Sequence, residues 1–192
     1  MIRDRGTLLR CGGPALRMAL PTYPSGPCVR SGKLERTRNM SEHDNGDVRR
    51  RVSIRKYAPQ DAAEVAKLCG QLGYPTSELQ LDERMKQMGQ RSSLLVAVDN
   101  ASNCIAGWIE LLVVTHVFSD MCMEIGGLVV NEGVRSRGIG KLLVEAAEEA
   151  GRKMRIQRVR VRSNIVRGRA HAFYEQLGYK EVKTSKVFEK TL

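Results

Sequence analysis

Three histidines in 192 residues, His43, His116 and His171, are too few and too scattered to cage a metal ion. The five cysteines are odd in number and contain no Cys-x-x-Cys pair. This argues against a disulfide framework or a zinc site and fits a reducing compartment, so the cytoplasm is the expected location. No apolar run approaches the roughly 18 residues that a membrane-spanning helix needs, and no membrane partner is expected. Aromatic residues make up only 5% of the chain. A surface that stacks nucleotide bases would normally interleave aromatics with its basic residues, and that pattern is missing. The net charge of +11 still asks for an anionic ligand or partner.

Prolines are few, and four of the six lie at positions 14, 21, 24 and 27. The same stretch is rich in Gly, Ser and Arg and has no sustained periodicity. Residues 1–49 are therefore expected to be a disordered or loosely attached extension, and residues 50–192 a single folded domain. Asp4 is the only acid among residues 1–30, a composition faintly similar to an organelle transit peptide. Translation starting at Met40 fits the sequence equally well.

From Arg51 onward strand and helix patterns alternate. "RVSIRKYA", "SSLLVAVDN", "CIAGWIELLVVTH", "MCMEIGGLVV" and "IQRVRVRSN" read as strands. "PQDAAEVAKLCGQLG", "TSELQLDERMKQMG", "GKLLVEAAEEAGRKM" and "GRAHAFYEQLG" read as helices, the second capped by Thr76 or Ser77 with Gln80 at capping-box spacing. "YKEVKTSKVFEKTL" reads as one or two closing strands. This order predicts an α/β fold with a mixed, partly parallel central sheet flanked by helices.

The stretch Arg135-Ser136-Arg137-Gly138-Ile139-Gly140-Lys141 joins a strand to a helix. It lacks the Gly-Lys-Ser/Thr of a Walker loop and the third glycine of a dinucleotide fingerprint. Backbone N–H groups converging on a helix start nevertheless favour an anion there, and glycines let it approach closely. Arg135, Arg137 and Lys141 can add charge-assisted bonds. A basic helix cap with two turn glycines is the plainer alternative.

Leu128, Val130, Arg135, Gly138, Gly140 and Leu143 together form L-x-V-x-x-x-x-R-x-x-G-x-G-x-x-L. This resembles the acetyl-CoA-binding motif of the GNAT N-acetyltransferases. A second motif, "RAHAFYEQLGYK", follows at the family's distance, and the resemblance covers residues 51–192. Glu132 stands where many members have proline. The resemblance implies a GNAT-like fold and acetyl-CoA as co-substrate. It implies that Leu128 and Val130 offer backbone partners to the pantetheine arm, while residues 135–141 (Ser136 and Ile139 included) cradle the pyrophosphate. It implies Tyr174 as general acid at the thiolate, Glu124 as the base, an oxyanion donor near Gly127 and Leu128, and Asn164 as a partner of the cofactor arm. The segment between Asn164 and Tyr174 is longer than in many members and is similar to the small-molecule branch, aminoglycoside 6'-type and aminoalkylphosphonate-type enzymes included.

The expected function is acetyl transfer from acetyl-CoA to a primary amine of a small molecule, in the sense of that branch, with no metal. Protein lysine or N-terminal acetylation, and non-catalytic acyl-CoA sensing, are the alternatives. A homodimer is common in the family, although no residue here specifies one. The acceptor pocket is expected from residues 70–92 and 115–121. His171 is read as structural. Arg158, Arg160 and Arg162 share one strand face, which is a partly solvated edge or a contact for an anionic group.

Overall fold

The protein is described here by a computed structural model covering residues 42–192. The expectations for residues 1–41 lie outside the described residues. The chain runs α1 (Glu42–Arg51), β1 (Val52–Lys56), α2 (Ala62–Leu72), α3 (Glu78–Gln87), β2 (Ser92–Asp99), β3 (Ile105–His116), β4 (Ser119–Val130), α4 (Ile139–Lys153), β5 (Val159–Val161) and α5 (Gly168–Gln176). The five strands form one sheet in chain order. β1 to β4 pair antiparallel, and β5 joins β4 in parallel. The mixed, partly parallel sheet expected from the sequence is present.

Each face of the sheet carries its own core. Ile109, Leu111, Met123 and Ile125 pack under Leu142, Leu143 and Ala147 of α4, with Tyr174 of α5 in the same cluster. Val96, Trp108 and Val129 point the other way, against Val65 and Leu68 of α2 and Leu81 of α3. The alternation of Trp108 and Ile109 between the two clusters is the period-two geometry of a strand covered on both sides.

Local sequence explains several boundaries. Gly73 ends α2 in the left-handed region at φ 99°, where a side chain would be strained. Ser77, rather than Thr76, caps α3: its Oγ accepts from the Gln80 N–H (3.2 Å), and its own N–H donates to Gln80 Oε1 (3.0 Å). Asp99 Oδ1 accepts from the Ala101 N–H at 2.8 Å and forms the β2–β3 turn.

One expectation, on the tail, is corrected. Residues 49 and 50, on either side of the expected boundary, both lie in α1. Its sequence has weak helix formers, but distant partners hold it. Arg49 pairs with Glu145 of α4 at 2.8 Å, and the Arg50 and Arg51 carbonyls accept from Asn100. The closing strands expected from Tyr179 onward are not formed. Residues 180–192 have no regular structure, and Val182, Val187, Phe188 and Leu192 are exposed. An alternating pattern supplies a pleated face but no partner edge, and β5 is only three residues long.

The start of α2 is fixed to β1 by charge. Arg55 Nη1 and Nη2 donate to Asp61 Oδ2 (2.6 Å) and Oδ1 (2.7 Å), and the Ala58 N–H donates to Oδ2 (2.8 Å). Asp61 is 4% exposed. The hydrogen bond and charge of Arg55 hold its carboxyl below the usual aspartate range, against the opposing effect of burial. Because the folded-state value is the lower one, this contribution is fully present above the unfolded aspartate pKa. It is lost as pH falls through the folded value. Asp61→Asn should lower stability at neutral pH by about 1–3 kcal/mol, with solvent at Arg55 keeping it from being larger. Urea unfolding at pH 7 and at acid pH checks this, since the difference between variant and parent must shrink on acidification.

Candidate active site

β4 and β5 are partners for only three residues, Met123 to Ile125 on β4 and Val159 to Val161 on β5. β4 then continues to Val130 along β3 alone. The edge of Gly126–Val130 that faces away from β3 is therefore left without a strand. The Asn131 N–H donates to the Ala106 carbonyl across β3 at 2.8 Å. The alternation of backbone directions then turns the amide and carbonyl of Leu128 and Val130 into the gap.

The gap begins at a bulge. Glu110 faces Gly127 and Leu111 faces Ile125, so Gly126 is an extra residue on β4. Side chains of β3 lie close above both glycines. A Cβ on Gly126 would fall 2.5 Å from Leu112 Cδ1 and 2.6 Å from Glu110 Oε2. A Cβ on Gly127 would fall 2.9 Å from the Trp108 ring.

At its other end the gap opens on the loop before α4. Ser136 (φ 62°) and Gly138 (φ 81°) are both left-handed, and the turn aims successive N–H groups at one region. α4 starts at Ile139 with no side-chain cap and no acid in its first turn. Its positive end is therefore left for an external anion. Ile139 is buried and anchors the loop, so only its backbone faces a ligand. A Cβ on Gly140 would lie 3.2 Å from the Phe173 ring, so this glycine lets α5 close on the start of α4. Arg137 is exposed, and Lys141 lies in the first helical turn.

Arg135 is engaged within its own loop. Its Nε donates to the Val130 carbonyl (3.1 Å), and its Nη2 lies 3.3 Å from Glu132. It holds the loop to the end of β4 and engages the Val130 carbonyl, which leaves Leu128 as the residue with both backbone groups facing the gap. Asn164 is likewise drawn into local structure. Its Oδ1 accepts from the Val166 N–H (3.2 Å), and its carbonyl accepts from the Arg167 N–H (2.9 Å). His171 Nε2 lies 3.0 Å from the same carbonyl and steadies the turn into α5.

Tyr174 is 9% exposed, with Phe173 and Tyr179 edge-on to its ring at 5.1 and 5.6 Å. Burial pushes its phenol up to about 12, so it stays protonated through the neutral range and can only donate.

Two carboxylates share the sheet face covered by α2 and α3. Glu124 is enclosed by β5: Arg160 Nε donates to its Oε2 (3.0 Å), and Arg162 Nε lies 3.2 Å from its Oε1. Arg160 Nη2 is 2.8 Å from Oε2, within ion-pair distance but off the line of a hydrogen bond. The basic strand face seen in the sequence thus neutralises Glu124. Glu110 was not singled out from the sequence. The available signal was a lone charge in the apolar run Ile105 to Val114. It is half-buried, and that burial alone raises its carboxyl above the usual glutamate range. The hairpin tip at Val117 and Phe118, expected near the acceptor, is exposed at the far end of β3 and β4. A groove on the outer side of α4 has its carboxylates paired with Arg49 and Arg152 and holds none of these groups.

The sequence profile of the acetyltransferase (GNAT) family matches residues 60–179.

The chain belongs to the acetyltransferase (GNAT) family.

It is an acyltransferase whose donor is acetyl-CoA. The open β4 edge and uncapped α4 fit the donor's strand-like arm and its phosphates. Solved structures share the fold. Glucosamine-6-phosphate N-acetyltransferase from Arabidopsis thaliana is 23% identical with a TM-score of 0.61, the match covering 72% of this chain and 99% of that one. Aminoglycoside 6'-N-acetyltransferase from Acinetobacter haemolyticus is 17% identical with a TM-score of 0.64, covering 73% and 99%. AAC(6')-Iy, solved with the bisubstrate analogue CoA-S-monomethyl-acetylneamine, is 18% identical with a TM-score of 0.62, covering 73% and 99%. No curated protein matches the sequence. Among the described residues no helix is long and apolar enough to cross a membrane, and no cluster of metal-ligating side chains occurs.

The loop before α4 can be probed at Gly138. Asp tolerates the left-handed region better than most residues, so its main effect there is a negative charge at a positive helix end. Gly138→Asp should weaken acetyl-CoA binding about tenfold or more, close to 1.4 kcal/mol. Gly138→Asn, of the same shape but uncharged, should weaken it less. Isothermal titration calorimetry checks the difference.

Proposed function

We propose that this acetyltransferase acetylates the primary amine of a small molecule by direct attack on the acetyl-CoA thioester. The observation that carries the reading is the gap between β4 and β5, closed at one end by the Gly126–Gly127 bulge and open at the other to the start of α4. A donor whose pyrophosphate rests on residues 136–141 and whose arm pairs with Leu128 delivers its acetyl group to the bulge. The amine approaches from the face covered by α2 and α3, where the carboxylates lie.

The protein's part is placement, charge and protons. Holding amine and thioester together removes most of the entropic barrier. The backbone N–H of Leu128, which faces the gap, stabilises the charge that develops on the carbonyl oxygen. Tyr174, kept protonated by burial, supplies a proton to the departing sulfur. The small-molecule reading is supported by fold neighbours that act on an amino sugar phosphate and on aminoglycosides.

Calorimetry with acetyl-CoA, coenzyme A and ATP tests the donor, and thiol release over an amine panel tests the transfer. Binding of the first two with much weaker ATP binding is expected. Tyr174→Phe should lower kcat by roughly 100-fold with donor affinity unchanged. Unaltered turnover would remove Tyr174 from the proton path. Donor binding without thiol release from any amine or peptide would replace the enzyme reading by acyl-CoA sensing.

A further inference from the structure

Glu110 is the only charged residue between Ile105 and Val114. It stands at the β3 position facing Gly127, and its Oε2 occupies the space where a Gly126 side chain would be. It therefore overhangs the bulge at which the transfer reading places the acetyl group. No hydrogen bond or ion pair engages its carboxylate among the described residues. Its neighbours on that face are apolar: Leu94 opposite it on β2, with Trp108 and Leu112 two positions away on β3.

Glu124 is the acid the family resemblance would make the base, but Arg160 and Arg162 engage both of its oxygens. A proton arriving there must displace two guanidinium contacts, whereas a proton arriving at Glu110 relieves an unpaired, desolvated charge. We propose that Glu110, and not Glu124, takes the proton from the acceptor amine. This rests on the acetyl-transfer reading and assigns the proton's destination within it.

The balance is complete. The amine nitrogen forms a C–N bond to the acetyl carbon, the C–S bond breaks, and the electron pair leaves with sulfur. The amine proton goes to Glu110, and the sulfur takes a proton from Tyr174. Solvent then exchanges protons with both residues, and a net proton is released when the amine enters as ammonium. Other ionisable groups packed against this face are the Cys69 thiol of α2, Arg84 of α3, Glu124 of β4, Arg160 of β5 and Arg162 just after it. None of them contributes to the upward shift at Glu110, which comes from burial alone.

The test compares the full chain with Glu110→Gln and Glu124→Gln, using glucosamine 6-phosphate, kanamycin and spermidine as probe amines. The parent's kcat should rise with pH through a limb above the ordinary glutamate range. Glu110→Gln should lose that limb and about 100-fold or more in kcat, with KM for acetyl-CoA unchanged. Glu124→Gln should keep the limb. A second readout needs no turnover. The folded state holds the Glu110 proton more tightly than the unfolded chain, so the parent's Tm should fall relative to that of Glu110→Gln as pH rises through the folded value. Parallel Tm curves, or a limb that survives in Glu110→Gln and vanishes in Glu124→Gln, would overturn the proposal. A parent that releases thiol with none of the amines removes the transfer reading and the role of Glu110 with it. That result differs from failure of Glu110 alone, in which parent and Glu110→Gln turn over together.

Discussion

The close approach of β3 side chains to the β4 backbone at Gly126 and Gly127 is the constraint from which the rest of the site follows. Trp108, Glu110 and Leu112 occupy space that side chains at these two positions would need. The two glycines admit an extra residue in β4, and the bulge marks the end of its pairing with β5. Beyond it β4 keeps β3 on one side and nothing on the other. The loop before α4, the left-handed residues in it and the uncapped helix start then lie at the far end of the exposed edge. The bulge and the loop before α4 thus lie at opposite ends of one exposed edge, spaced by the strand's own rise per residue.

The same face separates two carboxylates by environment. Glu124 lies against β5, where Arg160 and the residue just past the strand, Arg162, stand beside it. Glu110 lies one strand further in, where β2 offers leucine. One acid is paired with two arginines, and the other has no such partner and is drawn toward neutrality by burial. Tyr174, on the opposite face of the sheet among core residues, stays protonated for a third reason, the burial of its phenol. Glu110 and Tyr174 therefore lie on opposite faces of the sheet.

The parts of this arrangement legible in the sequence were those dictated by backbone chemistry. The Ser77 cap, the amphipathic α4 and the glycines before it follow from hydrogen bonding and φ preferences that neighbouring residues already specify. The identity of α1 was hidden because Glu42–Arg51 depends on Glu145 and Asn100, far away in the chain. The tail misled for the converse reason, since alternation in "YKEVKTSKVFEKTL" names a face but not an edge to join. At the site, nothing local to Glu124 discloses that Arg160 and Arg162 lie beside it. The isolation of Glu110 among apolar residues was visible, but its place above the bulge depends on strand register.

An edge left unpaired for a ligand also joins affinity to stability. Whatever occupies the gap binds the folded chain and not the unfolded one, so its free energy adds to that of folding by mass action. The backbone of Leu128 and the start of α4 then sample open states more freely without donor than with it. The abundance of acetyl donor in the surroundings becomes a thermodynamic variable of the protein itself, setting how much of the time its catalytic half is fully ordered.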